Sequence, residues 1–183
     1  LPVGSSIKVE DAIYALVTKS ANDVAAAIAE HLGGTESNFA KKMTNKAREI
    51  GMKKTTFKNA SGLHDKRQVT TPRDMAIMAR HMIFNYPRHY KYFSTQYFTY
   101  RGKTYRNHNR LMETYKGMDG LKTGYINASG FNLVASAVRG KHRLIGVVFG
   151  GRFSKTRNSH MENLLDAGFE KVGSLKVMAY NDV

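Results

Sequence analysis

The chain has 183 residues, 42% of them hydrophobic and only three of them proline, so it can bury a real core and is too apolar to stay disordered. It has no cysteine, which excludes disulfides and thiolate metal sites, and no stretch approaches the roughly 20 apolar residues of a membrane span. Its 29 lysines and arginines against 14 acidic residues give a net charge of +15, a field that favours polyanions: nucleic acid, the anionic lipid heads of a membrane surface, or acidic polymers of a cell wall or envelope.

Pro2-Val3-Gly4-Ser5 reads as a turn. From Lys8 to Thr18 the apolar residues Val9, Ala12, Ile13, Leu16 and Val17 recur at helical spacing. That helix stops at Ser20, and Asn22 and Asp23 are placed to cap the next one, an alanine-rich stretch from Val24 to Leu32 that Gly33-Gly34 ends. Glu36 to Ile50 is a third, amphipathic helix with Phe39, Met43, Ala47 and Ile50 on one side and Gly51 as its stop. Lys53 to Val69 has no clear period and reads as a long loop, in which His64 and Asp65 are the titratable residues to watch. Thr71-Pro72-Arg73-Asp74 starts a helix, with a cap, a proline at the first position and an acid three residues after the cap. Met75, Met78, Ala79, Met82 and Ile83 follow at helical spacing, a stripe that reads as core packing and not as a metal site.

Pro87 opens a short aromatic-rich turn. Gln96 to Tyr100 and Lys103 to Arg106 then form a hairpin about Arg101-Gly102. Arg106-Asn107-His108-Asn109-Arg110 has the composition of a basic nucleic-acid reader, but no nucleic-acid-binding motif accompanies it. It reads as a polar loop, and no nucleic-acid partner is expected. The last third is rich in strands: Leu121 to Tyr125, Phe131 to Arg139 and His142 to Gly150, the last two joined at Gly140-Lys141. The second is apolar on both faces, so helices should cover both sides of the sheet. A closing helix carries Met161, Leu164, Leu165, Phe169 and Val172, and after Gly173 the chain reads as a linker or the start of a further strand-rich module, residues 174–183. The seven histidines show no metal-ligand spacing, so neither a metal nor a cofactor is expected.

Two short motifs carry chemistry. Gly120-Leu121-Lys122-Thr123-Gly124-Tyr125 reads as a strand bearing a cation, a hydroxyl and a residue with no side chain. If an anionic acyl substrate lay antiparallel along it, Lys122 and Thr123 would meet a carboxylate. Gly124 would allow a close backbone approach, and the Tyr125 N–H would be left for a carbonyl oxygen. Alone, Lys-Thr-Gly also fits a strand leading into a turn. Lys19-Ser20-Ala21-Asn22-Asp23, about a hundred residues upstream, supplies the second motif, a Ser-x-Asn.

With both motifs in order, and with Arg73-Asp74-Met75-Ala76, Gly130-Phe131-Asn132-Leu133 and Gly150-Gly151-Arg152 between and after them, the chain from Val3 to about Phe169 resembles the low-molecular-mass penicillin-binding proteins, the serine D-alanyl-D-alanine carboxypeptidases. The resemblance implies an α/β, transpeptidase/β-lactamase-like fold over residues 1–173, an antiparallel sheet flanked by helices plus a helical subdomain, with the N-terminal part missing. It implies removal of the terminal D-alanine from peptidoglycan stem peptides through an acyl-enzyme, reaction with β-lactams, and a periplasmic or extracytoplasmic location, membrane-associated or not. It further implies that Ser20 relays a proton to the leaving amine and that Asn22 donates to the substrate's amide carbonyl. Lys122 and Thr123 would hold the terminal carboxylate, and Gly124 and Tyr125 would complete the substrate strand. The loop from Lys53 to Val69 would lie beside the mouth of the site.

The family's Ser-x-x-Lys motif, with the nucleophile and its lysine partner, belongs some tens of residues before the Ser-x-Asn. Ser5-Ser6-Ile7-Lys8 has that spelling but sits too close to Ser20 and in a turn. The expectation is therefore a fragment that begins after the nucleophile and is inactive alone. Two other readings stand beside it: a non-catalytic module that binds the cell wall, and a class A β-lactamase. The second is disfavoured because no glutamate lies between Lys53 and Thr71 to activate a deacylating water.

Overall fold

A computed structural model describes residues 1–181, with side chains to residue 174. The chain forms two compact units, Leu1–His108 and Asn109–Val183.

The first unit is mostly helical. Helix α1, Val9–Tyr14, runs into a π-helical turn, Ala15–Lys19, and not into the regular helix to Thr18 that the spacing suggests. Helix α2, Asn22–Gly33, starts two residues before the expected position. Its N-cap is Ala21, whose extended backbone breaks the chain direction without a side-chain hydrogen bond. Asn22 and Asp23 thus do not cap it; they occupy its first turn, where the Asp23 charge faces the positive end of the helix. Helix α3, Glu36–Glu49, is capped by Thr35, whose hydroxyl accepts from the Asn38 N–H, and buries Ala40 and Ala47. Helix α4, Pro72–Asn85, starts as its sequence dictates. The Thr71 hydroxyl accepts from the Asp74 N–H at 3.1 Å, Pro72 takes the first turn, and Ala79 and Ile83 are buried.

Helix α5, Pro87–Tyr90, and a 3-10 turn, Lys91–Ser94, lead into the hairpin of β1, Tyr97–Tyr100, and β2, Lys103–Arg106. Arg101 and Gly102 both have positive φ, 48° and 75°, the backbone that lets a two-residue turn match the strands' twist.

The second unit is an antiparallel sheet in the order β3-β4-β5, built from Met118–Ile126, Gly130–Arg139 and His142–Gly151. The short helix α6, Leu111–Thr114, precedes it, and α7, Ser154–Asn181, closes the unit. Leu133, Ala135 and Ala137 of β4 pack with Met161 and Leu165 of α7 and with Leu111, Met112 and Tyr115 in one core cluster. On the other face of the same strand Val134 and Ser136 are buried as well, in keeping with the doubly apolar pattern. Helix and sheet approach closely at Gly146, where a Cβ would lie 2.5 Å from Met161 Sδ. Helix α7 does not end at Gly173, as its apolar pattern suggests, but continues to Asn181; residues 182 and 183 of the expected strand-rich segment lie outside the described residues. The Asp166 carboxylate fastens the helix to the sheet side by accepting from Tyr115 Oη and from Arg139 Nη2, each at 2.8 Å.

Candidate active site

Ser20 sits where two kinds of helix meet. The π-helical turn ends with the Ser20 N–H donating to the Leu16 carbonyl at 3.2 Å and the Ala21 N–H reaching back to Ala15 at 3.3 Å. Ser20 itself is left-handed, with φ 57° and ψ 46°. A non-glycine residue in that region costs of order 1–3 kcal/mol and persists only where its surroundings impose it, a condition concentrated at functional sites, as are π-helical turns. The surroundings here are well fixed. Thr18 is fully buried with its hydroxyl on the Tyr14 carbonyl at 2.6 Å. Buried Asn107 uses its side-chain amide to donate to the Thr95 carbonyl at 2.9 Å and the Val17 carbonyl at 3.4 Å. Asn22, two residues after Ser20, is the first residue of α2, exposed and not spent on capping.

Lys122, Thr123, Gly124 and Tyr125 lie in register along β3, opposite Val134, Leu133, Asn132 and Phe131 of β4. Strand β3 is the sheet's edge: among the described residues no strand pairs with its outer side. It can therefore accept one more antiparallel strand through main-chain hydrogen bonds. Alternation puts Lys122 and Gly124 on the face of Val134, with Thr123 and Tyr125 on the other. The Lys122 ammonium donates to the Thr123 carbonyl at 3.0 Å, and burial pushes its pKa down to about 8. It still carries its charge at neutral pH, in surroundings too dry to hydrate it well.

Three supports of this strand were not evident from the sequence. Buried Asn109, from the stretch read as a polar loop, donates to the Gly120 carbonyl at 3.2 Å. The register of β3 shifts at a bulge between Met118 and Gly120, where Asp119 lies. Its carboxylate is taken by Arg143 of β5, whose guanidinium also reaches Ser136 Oγ at 2.6 Å and so ties all three strands together. At the far end, buried Arg157 donates to the Asn132 carbonyl at 2.6 Å, directly behind Gly124, and desolvation lowers its pKa. No local pattern announces such partners, which lie far apart in sequence.

The long loop is also ordered. Asp74 is buried at the head of α4, and its carboxylate accepts from the Lys54 N–H at 2.8 Å and the Thr55 hydroxyl at 2.6 Å. Burial works against its charge, but these bonds and that from the Thr71 side prevail and hold the pKa below the usual carboxylate range. Within the loop, His64 is exposed and Asp65 pairs with Arg67.

The sequence profile of the D-alanyl-D-alanine carboxypeptidase family matches residues 1–152. The chain belongs to this family. It is 38% identical over 176 residues to the D-alanyl-D-alanine carboxypeptidase DacF of Bacillus subtilis, covering 93% of this chain and 45% of that protein. It is 34% identical over 179 residues to DacD of Escherichia coli, covering 97% and 46%. Among solved structures, penicillin binding protein 5 of Haemophilus influenzae superposes with a TM-score of 0.89 at 36% identity, over 93% of this chain and 50% of that one. A penicillin-binding protein of Listeria monocytogenes in its cefotaxime-bound form superposes with a TM-score of 0.83 at 32% identity, over 89% and 67%. The fold is thus the transpeptidase-like one of the penicillin-binding proteins, and the class A β-lactamase reading falls away. The chain spans a little under half the length of the carboxypeptidases DacF and DacD. No described helix is long and apolar enough to cross a membrane.

Proposed function

We propose that this chain supplies the Ser-x-Asn and Lys-Thr-Gly parts of a serine-type D-alanyl-D-alanine carboxypeptidase, a hydrolase that removes the terminal D-alanine of peptidoglycan stem peptides. The observation that carries the reading is Lys122: a poorly solvated ammonium on the edge strand of the sheet, followed by a hydroxyl and a glycine. A peptide ending in a carboxylate can add to that edge as a strand. Its terminal carboxylate then lies at the strand edge, between Lys122 toward one face and the Thr123 hydroxyl toward the other, and Gly124 leaves room for its backbone.

In the reaction, a serine hydroxyl oxygen attacks the carbonyl carbon of the penultimate D-alanine. The Tyr125 N–H stabilises the negative oxygen that forms. The carbon–nitrogen bond breaks as Ser20 passes a proton to the leaving amine, and water then hydrolyses the ester. Asn22 donates to the substrate's amide carbonyl and orients the lysine that partners the nucleophile. Nucleophile and partner lysine are assigned to residues outside this sequence, since Ser5-Ser6-Ile7-Lys8 falls in and after the opening turn. The same groups would accept β-lactams, whose carboxylate and strained amide mimic the peptide end. An extracytoplasmic location, where peptidoglycan lies, and anionic envelope polymers as partners of the +15 charge complete the proposal.

The test is release of D-alanine from a stem pentapeptide by the full-length protein. Turnover that falls about 10²- to 10⁴-fold in Ser20→Ala, the span of a lost proton transfer, supports the assignment. Folded Ser20→Ala protein with wild-type turnover refutes it.

A further inference from the structure

Helix α4 buries one side and leaves another bare. Ala79 and Ile83 face inward. Arg73, Ile77, Arg80 and Phe84, three and four residues apart, form a separate stripe about 16 Å long. Phe84 is 67% exposed, and the Arg80 guanidinium lies 5.6 Å from the centroid of its ring. The same character continues past the end of the helix. Tyr86 is 42% exposed, and buried Tyr90 pins α5 while Arg88 and His89 of that helix stay in solvent.

No acidic residue offsets these cations. From Met75 to His108, the end of the unit, the sequence has none. Asp74, the one acid of α4, is buried, and its carboxylate is taken by the Lys54 N–H and the Thr55 hydroxyl. Arg73, Arg80 and Arg88 form no ion pair with a described residue. A surface of unpaired cations favours an anionic partner. A hydrated polyanion would satisfy the arginines but offers nothing to a bare phenyl ring. The headgroup region of a bilayer satisfies both, since arginines meet lipid phosphates there and Phe and Tyr rings settle at the boundary with the acyl chains.

We propose that the Arg73, Arg80 and Phe84 side of α4, with Tyr86 and Arg88 beyond it, is a contact surface for an anionic lipid bilayer, with Phe84 at the level of the headgroups. The contact is peripheral, because α4 has 14 residues and no described helix is long and apolar enough to cross a membrane. It draws on the charge and exposure of this unit alone and does not depend on the carboxypeptidase reading.

The experiment places an indole on this face by Phe84→Trp in the full-length protein and follows the emission difference from wild type, a signal that reads position 84 and no other part of the molecule. Vesicles of phosphatidylglycerol mixed with phosphatidylcholine should shift that emission to the blue, phosphatidylcholine alone should not, and the shift should fade as salt screens the charges. In vesicle sedimentation at low salt, Arg80→Gln and Arg88→Gln should each weaken partitioning about fivefold, the worth of one cation at an anionic surface, and Phe84→Ser about tenfold. Release of D-alanine from a soluble peptide should stay at the wild-type rate in all of them, which also shows that they fold. An emission that no vesicle shifts, or partitioning unchanged in the three variants, overturns the contact. Binding to soluble poly(glycerol phosphate) that needs Arg80 and Arg88 but not Phe84, with no blue shift on vesicles, overturns it as well and assigns the face to a wall polymer.

Discussion

Replacing Lys122 by methionine separates what this residue does for the reaction from what it does to stability. Burial moves its ammonium from 10.5 to about 8. At about 1.4 kcal/mol per pH unit, the charged form is disfavoured by about 3 kcal/mol in the folded protein. Between pH 8 and 10.5 the unfolded chain holds this proton and the folded chain does not, so wild-type stability gains with rising pH in that window. Below pH 8 both states hold it, and the full penalty is present. Methionine keeps the length and apolar stem of the side chain and removes the charge. The full-length Lys122→Met protein should therefore be more stable than wild type at pH 7 by up to about 3 kcal/mol, with the difference shrinking as pH rises from 8 to 10.5. The same protein should lose about ten- to 150-fold in β-lactam acylation, because a hydrogen bond to a charged group is worth about 1.5–3 kcal/mol. Denaturant unfolding at pH 7 and 10 and acylation kinetics at pH 7 measure both. A Lys122→Met protein less stable than wild type at pH 7, or a difference that does not shrink at alkaline pH, would refute the desolvation argument; acylation at the wild-type rate would refute the carboxylate role.

Other outcomes follow from the supports of the site. Ser20→Gly should raise the stability by about 1 kcal/mol, because glycine adopts the left-handed backbone without a Cβ clash, while turnover falls with the lost hydroxyl; thermal melts and D-alanine release together check it. Asp74→Ala removes the acceptor of the Lys54 N–H and the Thr55 hydroxyl and should cost about 2–4 kcal/mol, read by denaturant unfolding, with faster proteolysis between residues 53 and 70. Since the Asp74 pKa lies below its usual value, the contribution of this carboxylate is complete above about pH 4 and is lost as pH falls through its depressed pKa. Arg143→Gln leaves the Asp119 carboxylate without its guanidinium and should cost about 2 kcal/mol of stability and slow acylation, with Arg143→Lys restoring part because an ammonium keeps the charge but not the planar geometry of the guanidinium; melts and acylation rates of the two variants are the readout.

Local signals carried the elements that local physics decides. Thr71-Pro72 predicted the start of α4, Arg101-Gly102 the hairpin turn, and the doubly apolar run from Phe131 the buried central strand. The π-helical turn from Ala15 to Lys19 stayed hidden because its apolar residues fit a regular helix equally well, and the left-handed Ser20 with it. Asn22 has the residue type of an N-cap, so its uncommitted place inside α2 needed the backbone of Ala21 to be seen. Helix α7 passes Gly173 because one glycine costs only about 1 kcal/mol relative to alanine, less than a long helix can absorb. Both motifs of the candidate site were legible as residue strings. Their supports Asn107, Asn109, Asp119 with Arg143, and Arg157 were not, since each depends on a partner about ten to ninety residues away.

The central claim, that these motifs belong to a serine acyl-enzyme, is tested most directly by the intact mass of the full-length protein after exposure to benzylpenicillin. The account predicts a single covalent adduct, on a serine outside residues 1–183, formed at a rate that depends on Lys122. An unmodified mass after prolonged exposure, or an adduct on Ser5 or Ser20, would contradict it.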